Sequence, residues 1–484
     1  MTLKQRIFSL FDDSDFRAPV LKLVSGQGIA LVIGYLASLV LMRMYADEYW
    51  GVVDYIISWT TILVPVVSLR FEDALMLPED KRQSAHAYLL AVSTTVVSCL
   101  ILLAILSLFG PVIQFFADKD IGRWSLIIPL AIVVHRMAKI TELWLTRQNS
   151  FTLISAGTIV QVGSMTSVRI AAGLVSPSTG GLIWGFIVGY ILTFATYSRR
   201  LIRTLRSSLS GKPTWGEMRF VASRYRRFPM FTMPAALLSA LIMRLPFLIL
   251  PEFLDWGTMG LFSRGFNVLF VPLSLLAGSV AQVFFVRAVK TNREGTLGRF
   301  SSNVHTKLIM MSIFPTAALM VAGGDIFQVL FGIEWRASGE YLRYVAPWIM
   351  FSIVSSPMTR LFDVLERQRL EFLVAIASAV VMISVLVLVG RSQNAALIIM
   401  YLGISGSAIR FGQTILLLKL SGTNLTDTVM PYLKYISIVS PLMLMAYIVS
   451  TLGVPLYTFG TVIFGGIAFA AYILKTERLL APKS

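Results

Sequence analysis

Long apolar runs separated by short polar joins fill this chain from end to end. A membrane-crossing helix needs about 20 mostly apolar residues, and fourteen such runs can be counted: 19–45, 50–69, 84–109, 121–145, 150–174, 180–200, 228–250, 256–286, 303–323, 342–364, 370–390, 394–418, 430–450 and 454–474. Polar residues interrupt the fourth, tenth and twelfth. The pattern predicts an all-α, polytopic membrane protein of about fourteen spans. Its most conspicuous polar stretch, Ser198–Phe228, carries nine Lys or Arg against one acidic residue, Glu217. The predicted organisation is an amphipathic N-terminus at 1–18, a first lobe of six spans at 19–203 and a basic cytoplasmic linker at 204–227. A second lobe at 228–420, a C-terminal pair of spans at 430–474 and a tail at 475–484 complete it.

Composition agrees. Hydrophobic residues make up 56% and charged residues 14%, against roughly 25% charged in soluble domains; mean hydropathy is +0.75. A net charge of +17 would fit a nucleic-acid binder only if it were gathered on a folded face. Here it lies in short joins, and no nucleic-acid partner is expected. With the N-terminus inside, cytoplasmic segments carry about 28 Lys and Arg and outer loops about four: Lys119, Arg123, Arg336 and Arg391. That bias predicts both termini in the cytoplasm and an even span count. Residues 1–17 lack the order of a cleavable signal, because Asp12, Asp13 and Asp15 follow a short apolar patch; Ile7, Phe8, Leu10 and Phe11 are placed on the inner membrane surface. The single cysteine, Cys99, has no intrachain partner.

The two sides of the linker resemble each other. Pro129 precedes Leu145-Thr146-Arg147-Gln148-Asn149, and Pro347 precedes Leu365-Glu366-Arg367-Gln368-Arg369. Trp50-Gly51 opens the second run and Trp256-Gly257 the eighth. Both correspondences are offset by six spans, so the halves are expected to share one orientation, related by an axis along the membrane normal.

The stretches Leu41-Met42-Arg43-Met44-Tyr45, Trp50-Gly51 and Leu69-Arg70-Phe71-Glu72-Asp73-Ala74-Leu75-Met76-Leu77-Pro78 resemble the opening of the bacterial polysaccharide transporter family, the Wzx-type lipid-linked oligosaccharide flippases. Phe331-Gly332-Ile333-Glu334-Trp335, Ala346-Pro347-Trp348, Ser356-Pro357 and Leu365-Glu366-Arg367-Gln368 are similar to its second half. The resemblance, over most of residues 20–420, implies the multidrug/oligosaccharidyl-lipid/polysaccharide (MOP) exporter fold shared with MurJ-like and MATE proteins. It also implies a flippase of the bacterial inner membrane, moving undecaprenyl-pyrophosphate-linked repeat units outward for O-antigen, capsule or exopolysaccharide synthesis. Membrane lipids, a polysaccharide polymerase and other assembly proteins are the further partners it implies.

Charges within the runs carry the mechanistic information, since one at a span centre costs at least about 2.5 kcal/mol unless paired or hydrated. Ten basic residues fall there: Lys22, Arg43, Arg136, Lys139, Arg169, Arg244, Arg264, Arg343, Arg410 and Lys434, facing few acids, chiefly Asp54, Glu142 and Asp363. A net-positive interior suits a substrate with phosphates. Arg43, Arg169, Arg343 and Lys434 lie near run ends, where long side chains snorkel. Arg264 lies roughly 12 Å inside the eighth run with Asn267 three residues on, and the stretch around it resembles one that carries a cavity arginine in MurJ-like flippases. Arg410 is central to the twelfth run, with Gln413 at i+3, and Arg244 lies inside the seventh. In the fourth, His135, Lys139 and Glu142 share a face, with Arg136 beside them; Ser352, Ser356, Thr359 and Asp363 form a similar stripe in the tenth. The candidate anion site is therefore Arg264, Arg410, Arg244, Asn267, Arg136, Lys139 and Gln413, and the candidates for ion coupling are His135, Glu142 and Asp54.

No enzyme constellation competes. His86, His135 and His305 lie on separate elements without metal-ligand spacing, and no phosphate-binding loop motif occurs. Gly323-Gly324-Asp325 reads as a turn. No cofactor is expected. The expected mechanism is alternating access, with phosphates held by arginines in a cavity between the lobes and the prenyl tail in lipid. A MATE-like exporter of small organic cations and a non-transporting scaffold for glycan assembly are the alternatives.

Overall fold

A computed structural model describes residues 14–476 apart from 118–120, 210 and 212. The expected surface helix before residue 14, the outer-loop charges Asp118, Lys119 and Asp120, and the tail beyond 476 lie outside the described residues. The chain divides into two compact units, Met1–Leu248 and Ile249–Ser484.

The first unit contains α1 (Ser14–Met44), α2 (Asp47–Ser68), α3 (Lys81–Leu108), α4 (Ile127–Arg147), α5 (Phe151–Val175), α6 (Thr179–Leu209) and a short α7 (Trp215–Arg224), with most of α8 (Met233–Ile249). The second contains α9 (Trp256–Arg293), α10 (Leu297–Phe331), α11 (Arg336–Met358), α12 (Gln368–Gly390), α13 (Ala395–Leu420), α14 (Leu425–Ser450) and α15 (Pro455–Thr476). Every apolar run has its helix. Among the described residues ten helices are long and apolar enough to cross a membrane, and 228–252 adds an eleventh as two pieces bent by 52°. The more polar α4 and α11, with α9, complete the fourteen.

Helix starts are set by short polar caps. Asp80 accepts from the backbone N–H groups of Arg82 and Gln83, Asp255 from Thr258 at 2.9 Å, and Asn394 from Leu397 at 3.1 Å. The α4–α5 join turns on Asn149, whose φ of 52° closes the helix end, with Ser150 N–H donating to Leu145 O at 3.0 Å.

Small residues let the membrane helices touch closely, as they must where lipid gives no hydrophobic drive for association. Gly181, Gly185 and Gly189 of α6 lie against Ala172, Arg169 and Met165 of α5. In the second unit Gly323 of α10 and Gly339 of α11 meet backbone to backbone, and a Cβ on either would collide with the other chain segment. This crossing explains a departure from the sequence reading. Gly323–Asp325 is not a terminal turn: α10 kinks at Ala322 (φ −120°, ψ 17°) and runs on to Phe331. The buried Asp325 carboxylate there accepts from Arg336 Nη1 at 2.7 Å.

The linker also differs from a plain loop. Thr214 caps α7, its Oγ1 accepting from Glu217 N–H and donating to Glu217 Oε2 at 2.6 Å. Val221 is buried, in one cluster with Phe71, Leu75, Tyr88, Trp144 and Leu209, and Met218, Ala222, Tyr225 and Phe228 pack on its edge. The segment folds as a surface helix because four apolar side chains at helical spacing find this cluster.

Candidate functional site

In the first unit, α4 divides its polar residues between two faces. Arg136 points into the core, 6% exposed, and its Nη2 lies 2.5 Å from Glu72 Oε1. Glu72 sits in the turn Phe71–Met76, accepts from Ser68 Oγ at 3.1 Å and lies 3.6 Å from Arg70, which also pairs with Asp73 at 2.9 Å. Beside this network Thr141 meets Tyr88 Oη at 3.0 Å, and Trp144 Nε1 donates to Thr204 Oγ1 at 2.9 Å.

The other face of α4 is half-buried. His135 lies edge-on to the Tyr190 ring of α6 with centroids 4.9 Å apart. One turn on, Lys139 Nζ donates to Glu142 Oε2 at 2.8 Å. The structure thus brings His135, Lys139 and Glu142 together and separates Arg136 from them. Asp54 is buried on α2, and Arg244 on α8 lies close enough to feel its charge. The Arg244 guanidinium also lies 5.8 Å from the Phe247 ring. Arg169, expected to snorkel, is instead 7% exposed. Its guanidinium lies 5.7 Å from the Trp50 ring and donates to Leu182 O at 3.0 Å.

In the second unit α9 and α13 converge on Trp348 of α11. Phe266 of α9 packs tilted by 40° with its centroid 5.3 Å from that ring, and Gly406 of α13 lies against it, where a Cβ would collide with the indole. Gly265 is wedged against Ser338 and Leu342 of α11, and Ser338 Oγ donates to Leu261 O at 2.6 Å. Arg264 and Asn267, both half-buried, flank this contact on α9. Arg410, also half-buried, lies one turn beyond Gly406. Its Nη1 donates to Gln413 Oε1 at 2.9 Å, and among the described residues no carboxylate lies within ion-pair reach of it.

The tenth-run stripe divides. Ser352 and Ser356 lie on α11, but Thr359 closes that helix and Asp363 sits in the separate turn Leu361–Val364, 3.5 Å from Arg360. The roles of two residues that organise these sites, Glu72 and Glu217, escaped the sequence reading. Thr214 and Glu217 do carry a signal, the three-residue spacing of a capping box. No group of three or more His, Cys, Asp or Glu residues able to hold a metal occurs among the described residues.

The fold has solved counterparts. A structure of the lipid II flippase MurJ in an inward closed conformation is similar over 94% of this chain and 98% of its own, with a TM-score of 0.64 and 13% identity. An inward-facing multidrug resistance MATE family transporter of the MOP superfamily covers 81% and 98%, with a TM-score of 0.57 and 9% identity. A variant of the Vibrio cholerae MATE transporter VcmN covers 86% and 100%, at 0.54 and 10%. These likenesses establish an all-α MOP exporter fold. No curated protein matches the chain. The family model for polysaccharide biosynthesis proteins matches residues 40–340, more than half the length, and the chain belongs to that family.

Proposed function

We propose that this protein is a flippase that carries a saccharide linked to a polyprenyl pyrophosphate from the inner to the outer leaflet of the bacterial inner membrane by alternating access. The substrate on this reading is an undecaprenyl-pyrophosphate-linked oligosaccharide destined for O-antigen, capsule or exopolysaccharide. The observation that carries the reading is Arg410: a half-buried guanidinium in the middle of a membrane helix, with only the neutral Gln413 as its described hydrogen-bond partner. Such a charge is costly without an anion or water, and a pyrophosphate supplies several acceptor oxygens. Arg264 with Asn267 is a further anion contact in the same unit, while Arg136 and Lys139 face carboxylates of their own and Arg244 lies near Asp54. Membership of a polysaccharide biosynthesis family and the fold shared with a lipid II flippase support the same reading.

The carboxylates argue against a cation exporter. Glu72 and Glu142 each have a basic partner within 2.8 Å, and Asp54 is near Arg244. An inside-negative potential favours outward movement of a bound anion by about 2.3 kcal/mol per net charge per 100 mV. His135, Glu142 and Asp54 are the groups through which an ion gradient would couple. Reconstitution into liposomes holding a fluorescent lipid-linked oligosaccharide tests the assignment: the protein is expected to make the inner-leaflet label accessible to an external quencher. Export of organic cations without lipid movement would overturn it.

A further inference from the structure

The most basic stretch of the chain holds one acidic residue, and the fold turns that residue inward. Glu217 takes two hydrogen bonds from Arg82 of α3, at 2.6 and 3.1 Å. Its Oε2 also lies 3.1 Å from His86 Nε2, and Arg82 Nη1 donates to Leu209 O at 2.8 Å, tying the end of α6 to the same point. With Met218, Val221, Ala222 and Tyr225 packed inward, the orientation of α7 is fixed. The outward side presents Arg219, Phe220 and Ser223, with Trp215 at the helix start and Arg226 and Arg227 beyond its end, all exposed. Trp215 is 77% and Phe220 55% exposed.

This face has no carboxylate, and guanidinium groups alternate on it with large aromatic rings. Solvation accounts for arginines on a helix facing water, but it does not account for an indole and a phenyl ring left open beside them. Both features fit one environment, the headgroup zone of an anionic bilayer, where guanidinium groups meet phosphates and rings settle at the boundary with the acyl chains. The end of α6 extends the character. Arg199, Arg203 and Arg206 are exposed at helical spacing around Ile202, itself 50% exposed. We infer that the outward face of α7, with Arg226 and Arg227, is a docking surface for anionic phospholipid headgroups, held in register by the Glu217 contact. It shares no residue with the candidate anion site and would tune the protein to the charge of its membrane.

A single label tests this. In the full chain carrying Cys99→Ser and Ser223→Cys, an environment-sensitive fluorophore at 223 reports the outward face. The protein is reconstituted in phosphatidylcholine alone or mixed with phosphatidylglycerol, with a nitroxide at headgroup level in either bilayer. Quenching is expected to be about twofold stronger with phosphatidylglycerol. It should fall back in high salt, which screens exposed charges, and in the triple variant Arg219→Gln, Arg226→Gln, Arg227→Gln. Equal quenching in both bilayers, unmoved by salt and by the triple variant, would overturn the assignment and leave this face to an acidic protein surface.

Discussion

Arg82 grips Glu217 with two nitrogens, Nε at 2.6 Å from Oε1 and Nη2 at 3.1 Å from Oε2, across the gap between a membrane helix and the linker helix. The Arg82 and Thr214 contacts pull the Glu217 carboxyl down from its ordinary 4.5 to about 2. A depressed carboxyl favours the docked state while it is ionised. Its contribution is therefore complete above about pH 4.5 and is lost as pH falls from there toward 2. Trypsin cleavage at the linker arginines is the readout. Glu217→Gln should be cut several-fold faster than the wild type at neutral pH, and an acid-stable protease should find wild type and variant converging as pH falls toward 2.

The pair Arg136 and Glu72 lies in the interior of the first unit, each less than 7% exposed. Removing one member of a buried pair strands the other charge, at about 3–5 kcal/mol. Glu72→Ala should therefore unfold well below the wild type in thermal melts in detergent. Glu72→Gln combined with Arg136→Met removes both charges and should recover most of that loss.

Gly323 and Gly339 mark where α10 and α11 cross. A methyl group at 339 would overlap backbone atoms of 323, which have no rotamer to yield, so Gly339→Ala should lower the melting temperature sharply or abolish folded yield. Gly163 of α5 has nothing within 4 Å of an added Cβ, and Gly163→Ala should be neutral or gain about 0.5–1 kcal/mol. Fluorescence size-exclusion melts of the two variants separate crowding from a general effect of losing glycine.

The helices were readable in advance because a bilayer demands about 20 apolar residues per crossing, and every run counted from the sequence contains a helix. What escaped depends on partners distant in sequence. Lys139 and Glu142 share a helix face in the sequence, but nothing local shows that Arg136 beside them turns away to meet Glu72 in the turn Phe71–Met76. Arg169 reads as a snorkelling end residue until Trp50 is seen beneath it. The kink at Ala322 needs the glycine of a second helix. Helix α7 was the one omission with a local cue, Thr214 three residues before Glu217, concealed by the surrounding basic charge. The candidate arginines could be chosen from the sequence by depth alone; that α9 and α13 meet at Trp348 could not.

The central claim is that guanidinium groups within the membrane hold the phosphates of a lipid-linked saccharide, and Arg410 tests it most directly. The measurement is the initial rate of lipid-linked oligosaccharide flipping in proteoliposomes, for wild type, Arg410→Ala and Arg410→Lys at matched folded yield. Loss of charge-assisted hydrogen bonds worth about 1.5–3 kcal/mol predicts a roughly tenfold or greater drop for the alanine variant. The lysine variant should retain part of the rate, because it keeps the charge without the planar fork. A folded Arg410→Ala protein that flips at the wild-type rate would contradict the account.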